Sequence, residues 1–540
     1  MDPGKPRKPG RPPPRLRTKT GCFKCRERRK KCDERRPVCS ACKRLDIDCV
    51  YRKSLTPSSA SPQVHRSSPT PPTPPSSPSS DSVVTTRSAV TEIAIASPRF
   101  TSLWSRPEGI STERDWNIFH YCSTKFYQLL TTPEATAEFR NVSAVLSAGF
   151  DVPWVMHAAL APAALHASHA ALIPKADAMA YTQSALQGLR QAVQNTKSQA
   201  ASNESFLVAS LFLGVFEDFY SSPSSQSLTH YGAIGRVLEE QAADIPRFEI
   251  DQLSIFHRTL LDSVLYHFST RLIFEQDIDV ICRSFPSQTV AKYIEALDAD
   301  RKEGRQHASI LPVLGKTPPA LFLQIYQITW LSRQLPFHHG HNYTLALQCL
   351  TEVDHLQETC AIFDTKDTFG SQPNHSTRTS DSAVAAKLYF LATRIFIMKV
   401  LDPEGVCSGS SQIQALLAEG LELLTVYDGS APCGQFICWP ILILGCAACP
   451  VTTSETQNSL SYTPEEALRS EMRSLIQTQL LQIWKVSYSG HVRRIAGALE
   501  RIWKLPRSLA KHPEELLATN HEAQFDGLNT LISKNGVGHP

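Results

Sequence analysis

The sequence predicts a small irregular cysteine-rich module near the N-terminus, a disordered linker, and a large all-α domain. Three observations predict this organisation. Six of the fifteen cysteines lie within residues 21–51. A stretch dominated by Ser, Thr and Pro covers residues 54–99. From about residue 109 to the end of the sequence, apolar residues recur at the spacing of amphipathic and buried helices.

The charge of the chain is distributed unevenly. The 540 residues carry a formal net charge of only +4, from 55 Lys and Arg against 51 Asp and Glu. Residues 1–53 hold 19 of the basic and 6 of the acidic residues, a balance of +13, which leaves −9 for the rest. A basic head on a mildly acidic body indicates a module that binds a polyanion, attached to a region with another role.

The first fifteen residues, MDPGKPRKPGRPPPR, lack the apolar segment of a secretory signal. We therefore expect an intracellular, reducing compartment, where clustered thiols are more often metal ligands than disulfides. The longest uncharged apolar stretch, residues 437–450, has fourteen residues. A spanning helix needs roughly 20, so we expect no membrane partner.

The six clustered cysteines form two tandem half-motifs, because each position of the first half recurs seventeen residues later in the second. They are Cys22, Cys25, Cys32, Cys39, Cys42 and Cys49. Structural zinc takes four ligands in a tetrahedron. Two zinc ions need eight sulfur contacts, and six thiolates supply them if two thiolates bridge both ions. The repeat makes Cys22 and Cys39 the natural bridging candidates.

Two other interpretations of the cysteines are less consistent with the sequence. A ribbon with a single zinc held by the Cys25 and Cys42 pairs leaves Cys32 and Cys49 unexplained. A disulfide knot conflicts with the reducing compartment that the N-terminal sequence indicates.

The cysteine spacing, the basic run between the second and third cysteines, and the proline in the loop before the fourth resemble the fungal Zn(2)-Cys(6) binuclear cluster. The resemblance covers roughly residues 18–53. It implies a module of two short helices around two Zn²⁺ ions, with Cys22 and Cys39 as the bridging ligands. It also implies a nuclear protein that binds double-stranded DNA.

The first half of the cluster is much more basic than the second, so it is the half that we expect on DNA phosphates. In the family that the motif resembles, the third and fourth residues after the second cysteine contact base edges, typically at CGG-like triplets. This resemblance implies base contacts for Arg28 and Arg29. Arg26, Lys30 and Lys31 are expected to contact phosphates. The alternative is that these charges form only a solvated surface.

Two segments flank the module. Residues 1–17 are expected to form a disordered basic arm with a role in nuclear import. Residues 54–99 are expected to be a disordered linker, because their composition cannot build a core. No apolar heptad repeat is evident between Val50 and Arg106. Any dimer must therefore form through another part of the chain, and binding of DNA by a monomer remains an alternative.

Helix starts can be read in the C-terminal region. Thr112 followed by Asp115 resembles a capping box before a stripe of aromatic residues. Thr463 predicts an N-cap, with Pro464 in the first turn and Glu466 completing a second box. Together with the apolar periodicity, these signals predict an all-α domain of roughly a dozen helices.

The stretches 205–216 and 385–401 are apolar on nearly all sides and predict buried helices. The pattern of the whole region 109–540 resembles the fungal-specific transcription factor regulatory domain. The supporting stretches are residues 153–172, 228–241 and 439–448. This resemblance implies contacts with the transcription machinery or co-regulators. It leaves open a homodimer and a small-molecule effector.

No catalytic motif stands out in this domain. The histidines within residues 337–341 favour a polar loop over a metal site, and Cys446 with Cys449 favours burial as small apolar side chains. Structural roles are expected for three histidines of an Ala-rich segment: His157, His166 and His169.

We therefore interpret the sequence as a sequence-specific DNA-binding regulator of RNA polymerase II genes, and not as an enzyme. A pathway-specific role follows by analogy with this architecture. The alternatives are an α-helical enzyme or a scaffold whose zinc module serves localisation. RNA binding is disfavoured because the basic run contains no aromatic residue for stacking.

Overall fold

The computed structural model forms two compact units, residues 1–99 and 100–540. In the first unit it describes residues 25, 32–35, 38–45, 47 and 49. In the second unit it describes residues 107–140, 146–194, 203–220, 226–244, 253–298, 310–338, 340–360, 362, 380–450, 463–509, 526–534 and 537.

In the first unit, the short helix α1 (Ser40–Lys43) directly follows Cys39. Cys39 is its N-cap, and the backbone N–H of Lys43 donates to the Cys39 carbonyl at 2.9 Å. The predicted linker 54–99 and the basic arm 1–17 lie outside the described residues.

The described ranges of the second unit contain helices and the segments that connect them, and the only β-type pairing there is an isolated bridge between Leu311 and Gly315. This confirms the all-α prediction. The helices are α2 (Glu113–Tyr121), α3 (Pro153–His169), α4 (Lys175–Gln194), α5 (Asn203–Phe219), α6 (Ser227–Asp244), α7 (Ile255–Arg271), α8 (Ile278–Ser284), α9 (Ser287–Leu297), α10 (Pro319–Ser332), α11 (Gly340–Thr359), α12 (Asp381–Leu401), α13 (Ser411–Val426), α14 (Cys438–Ala447), α15 (Pro464–Ser487) and α16 (Gly490–Leu509).

The predicted helix starts are largely confirmed. The Asp115 N–H donates to Thr112 Oγ1 at 3.1 Å, and the Thr112 N–H donates to the Asp115 carboxylate at 2.7 Å, which completes the capping box. Thr463 caps α15 by accepting from the Glu466 N–H at 3.3 Å. The Glu466 side chain, however, pairs with two arginines of α15 instead of reaching back, so the second box is only half formed.

The first aromatic stripe is interrupted by a π-helical turn, Cys122–Phe126, which follows α2 and leads into the short helix Tyr127–Leu129. The hydroxyls of Ser123 and Thr124 both donate to the His120 carbonyl, at 3.0 and 2.7 Å. Such local side-chain bonds compete with regular helical hydrogen bonding, and the uniform helical spacing of the sequence does not reveal them.

The core of this unit is built around helices that are buried on nearly all sides, as the sequence predicts for α5 and α12. In α12, Tyr389 stacks on Trp439 of α14 with ring centroids 5.9 Å apart. Cys446 and Cys449 are also buried, and burial raises the pKa of each thiol to about 12. Their predicted role as small apolar side chains is confirmed.

Two histidines of α3 hold neighbouring segments together, which confirms their predicted structural role. His157 bonds Ser184 Oγ at 2.7 Å and the Gly109 carbonyl at 2.9 Å. His166 bonds the Tyr121 hydroxyl at 2.7 Å and, through Nε2, the Val486 carbonyl at 3.0 Å. The second contact fixes the end of α15.

Helices α15 and α16 form a hairpin, because Tyr488 adopts a left-handed conformation with φ of 48° and reverses the chain. A 3₁₀ helix, Gly527–Ile532, then packs against α14 and α12, with Leu528 and Leu531 buried. Among the described helices, none has the length and apolarity required to cross a bilayer.

Candidate metal centre and nucleic-acid interface

Five cysteines of the N-terminal motif lie together in the first unit. The Sγ atoms of Cys25, Cys32 and Cys39 lie within 4.8 Å of one another, and so do those of Cys39, Cys42 and Cys49. Four of these side chains are buried, while Cys49 is half-buried. The two groups share Cys39, so the described thiols form two interlocking sets of three.

The spacing of these sulfurs fits zinc. With Zn–S bonds of about 2.3 Å in a tetrahedron, neighbouring sulfurs lie roughly 3.8 Å apart. Cys25 Sγ lies 3.5 Å from Cys39 Sγ and 3.9 Å from Cys42 Sγ. A shell of buried thiols without carboxylate or imidazole ligands is typical of a structural zinc site.

Cys39 is the residue that the sequence repeat assigns as one of two bridging ligands, and it is the one that both groups share. The other proposed bridge, Cys22, lies outside the described residues. The bridging roles and the number of two ions therefore stay predictions.

Backbone N–H groups donate hydrogen bonds to three of the thiol sulfurs. The Cys42 N–H, in the first turn of α1, donates to Cys39 Sγ at 3.4 Å. The Cys39 N–H donates to Cys49 Sγ at 3.3 Å, and the Glu34 N–H donates to Cys32 Sγ at 3.4 Å. Hydrogen bonds of this kind to sulfur orient the side chains of potential metal ligands.

Asp33 adds a second connection between the two half-motifs, which sequence reasoning missed. The Ser40 N–H donates to both carboxylate oxygens of Asp33, at 3.1 and 3.3 Å. Hydrogen bonding by Ser40 lowers the pKa of Asp33, so the carboxylate is ionised at neutral pH. Asp33 directly follows Cys32 and Ser40 directly follows Cys39, so the bond links the segments that carry these two cysteines. The spacing of the cysteines does not predict this hydrogen bond.

The predicted DNA-contacting side chains all lie outside the described residues: Arg26, Arg28, Arg29, Lys30 and Lys31. Their division into base and phosphate contacts stays a prediction. In the described part of the second half, Lys43 lies in the last turn of α1 and Arg44 follows as its C-cap.

The helical unit contains a buried charged cluster that the sequence did not reveal. One oxygen of Asp218 accepts from Arg271 Nε at 3.3 Å and from the Tyr231 hydroxyl at 3.2 Å, and it lies 2.9 Å from His267 Nδ1. A cavity of about 40 Å³ adjoins Asp218, His267 and Arg271. The opposite charges neutralise one another, and burial lowers the pKa of His267, which keeps its ring neutral. This arrangement is that of an internal ion pair.

Comparison with known proteins gives two family matches. Residues 20–58 match the fungal Zn(2)-Cys(6) binuclear cluster domain. Residues 120–514 match the fungal specific transcription factor domain, which covers well over half of the chain. No solved structure matches the chain.

Curated relatives match over short stretches of the chain. The transcriptional regulatory protein pro1 of Neurospora crassa is 54% identical over 39 residues, which are 7% of this chain and 6% of that protein. The Zn(2)-C6 fungal-type transcription factor afumD of Aspergillus fumigatus is 48% identical over 52 residues, 9% of this chain and 14% of that protein. The thiamine biosynthesis regulatory protein of Saccharomyces cerevisiae is 48% identical over 40 residues, 7% of this chain and 9% of that protein. The matched stretch therefore spans only a small part of each relative.

Proposed function

The chain belongs to the fungal transcription factors with a Zn(2)-Cys(6) cluster and a fungal-specific transcription factor domain, and we propose that it regulates RNA polymerase II genes of one pathway by reading CGG-like triplets. Members of this family are DNA-binding transcription regulators and not enzymes. The observation that supports the proposal is the pair of cysteine groups that share Cys39. Zinc bound by these thiols would hold a module of this size in a fixed shape.

In this proposal, Cys22, Cys25, Cys32, Cys39, Cys42 and Cys49 hold two Zn²⁺ ions, with Cys22 and Cys39 bridging. The zinc ions supply the fixed geometry that so small a module cannot obtain from an apolar core. Arg28 and Arg29 follow the second ligand closely, so the metal-bound turn would set their direction. An arginine pairs with guanine through its O6 and N7 acceptors in the major groove.

Arg26, Lys30 and Lys31 supply the sequence-independent part of the affinity. Phosphate contacts release counterions from DNA, so their contribution falls as the salt concentration rises. Such contacts fix the register of the protein on the duplex, while base contacts select the site. This division of roles separates the five basic side chains experimentally.

The rest of the chain would convert binding into control of transcription in the nucleus. We assign residues 18–53 to DNA binding, 1–17 to a basic arm, 54–99 to a disordered tether, and 109–540 to regulation through co-regulators or a small-molecule effector. A flexible tether couples its two ends through effective concentration and not through fixed geometry. Relatives are named for sterol uptake control and for thiamine biosynthesis regulation, which supports a pathway-specific role.

The proposal is tested with the zinc-loaded full chain by fluorescence anisotropy on two duplexes of equal length and composition. One duplex carries a CGG triplet and the other carries its bases in scrambled order. We expect tighter binding to the CGG duplex by about tenfold or more, a preference that persists as salt is raised. Equal affinity for both duplexes, with the same salt dependence, would contradict CGG readout.

A further inference from the structure

The α15–α16 hairpin carries an open apolar groove of about 300 Å³. Six large apolar side chains from both helices line it: Leu480, Leu481, Trp484, Val492, Leu499 and Trp503. Most of them are also packed against the core, but Leu481 is 53% exposed. A large exposed leucine beside an apolar groove provides both a projecting side chain and a recess on one surface.

The charged residues of this groove lie on α16 in a symmetric arrangement. Arg493 and Glu500 both line it and are seven residues apart, which is about two helical turns or roughly 10.5 Å along the axis. Midway between them in the sequence lie Ala496, which also lines the groove, and Gly497 next to it. The two small residues leave room for another helix to approach closely.

From this arrangement we propose that the groove binds the same hairpin of a second copy of the chain, with the two α16 helices antiparallel across a twofold axis near Ala496 and Gly497. In that pairing, Arg493 of each copy faces Glu500 of the other. Leu481 of each copy would enter the groove of the other. A twofold dimer requires one self-complementary patch, and this surface carries opposite charges at equal distances from its centre.

Each of the two charged side chains makes one contact within its own chain. The guanidinium of Arg493 lies over the Trp484 ring, 5.2 Å from its centroid. Glu500 accepts from Lys504 Nζ at 2.5 Å, and this bond lowers the pKa of Glu500, which keeps the carboxylate ionised. A partner with charges of a single sign would be attracted at one end of the groove and repelled at the other. A second copy of the chain places an opposite charge at each end of the groove.

The region after the cysteine module has no heptad repeat that could form a dimer. Dimerisation through α16 would provide that contact instead. The importance of this dimer for gene control rests on the proposed function, because it requires that the N-terminal modules bind DNA. The association itself is measured without DNA, so failure of one proposal is distinguishable from failure of the other.

Gly497 provides the sharpest variant. A Cβ added there meets only Arg501 Nη1, at 3.5 Å, so a side chain fits without disturbing the fold. In Gly497→Glu the carboxylate precedes Arg501 by four residues, a spacing that favours the helix of the single copy. At the twofold axis, however, two glutamates would face each other. Gly497→Ala is the matched control, because it strengthens the helix and adds no charge.

The experiment is sedimentation velocity of the zinc-loaded full chain over the micromolar range, with thermal melting of every variant to confirm folding. We expect a dimer whose dissociation constant rises about tenfold or more in Gly497→Glu, in Arg493→Glu and in Glu500→Arg, since like charges across an interface are strongly unfavourable. Gly497→Ala should leave it unchanged. The double variant R493E/E500R should restore the dimer to within about threefold of the original.

Three results would overturn the proposal. The first is a chain that stays monomeric at every concentration. The second is a dimer that Gly497→Glu and both charge reversals leave intact, since its contact would then lie elsewhere. The third is a double reversal that stays as weak as the single variants while all of them melt as folded proteins, because the two residues would then not face each other.

Discussion

The Arg271 guanidinium lies 3.3 Å from the Asp218 carboxylate, and the two side chains are only 5% and 2% exposed. Burial by itself raises the pKa of Asp218, but the Arg271 charge and the bond from His267 outweigh burial and hold this pKa well below its ordinary value. The pair joins α5 to α7 across fifty-three positions of sequence. The interior of the helical unit thus contains an ionised pair at neutral pH.

Asp218→Asn should destabilise the helical unit by about 3–5 kcal/mol, because it leaves Arg271 buried without its counter-ion. Urea unfolding followed by tryptophan fluorescence measures this, since all seven tryptophans lie beyond residue 100. The double variant Asp218→Asn with Arg271→Met should recover part of the loss, because it removes both charges together. A loss below about 1 kcal/mol in Asp218→Asn would show that the pair is solvated like a surface salt bridge.

Asp262 should give the helical unit an unusual pH dependence. Its carboxylate, fully buried in α7, accepts from the Val313 N–H at 2.7 Å and the Leu314 N–H at 3.1 Å. Burial outweighs these two bonds and raises the pKa of Asp262 to about 7. The unfolded chain has an aspartate pKa near 3.9. Between these values the folded state holds a proton that the unfolded state has released.

The contribution of Asp262 to the free energy of unfolding should therefore be largest below about pH 4 and fall as pH rises towards 7, by at most about 1.4 kcal/mol per pH unit. Unfolding by urea at several pH values between about 5 and 7 tests this, with Asp262→Asn as the reference. The free energy of the original chain minus that of the variant should decrease as pH rises. A difference that stays constant between about pH 5 and 7 would show that the two N–H donors dominate and that the carboxylate is already ionised in the folded state.

The sequence predicted best those features that depend on residues close together in the chain. The spacing of the cysteines predicted the thiols that lie together around Cys39, and Thr112 predicted the start of α2. Contacts between distant residues have no such pattern. Nothing near Asp218 indicates that Arg271 will meet it, because only the packing of α5 on α7 brings them together. Propensity and periodicity report single elements, and the pairing of elements decides which polar residues are buried.

Cys39 should be indispensable to zinc binding in a way that Cys49 is not. The full chain should hold two zinc ions by elemental analysis after dialysis. Cys39→Ala should lose both, because Cys39 belongs to both thiol groups, whereas Cys49→Ala should keep about one. Cys407→Ala is the control, since that exposed cysteine lies in the helical unit and should leave both ions bound. If Cys39→Ala and Cys49→Ala kept the same amount of zinc, Cys39 would not be a bridging ligand.

Arg29 and Lys31 should affect DNA binding in different ways. Arg29→Ala should cost about 1–3 kcal/mol on the CGG duplex and relax the preference at one G·C pair, because it removes a base contact. Lys31→Ala should weaken binding to all duplexes similarly and lower the salt slope by about one phosphate contact. Anisotropy titrations on CGG and single-substitution duplexes at several salt concentrations separate the two effects. Each variant also serves as the control for the other, since both remove one positive charge from the same basic run. If both lost affinity equally for every duplex, with the same change in salt slope, Arg29 would contact phosphate and not a base.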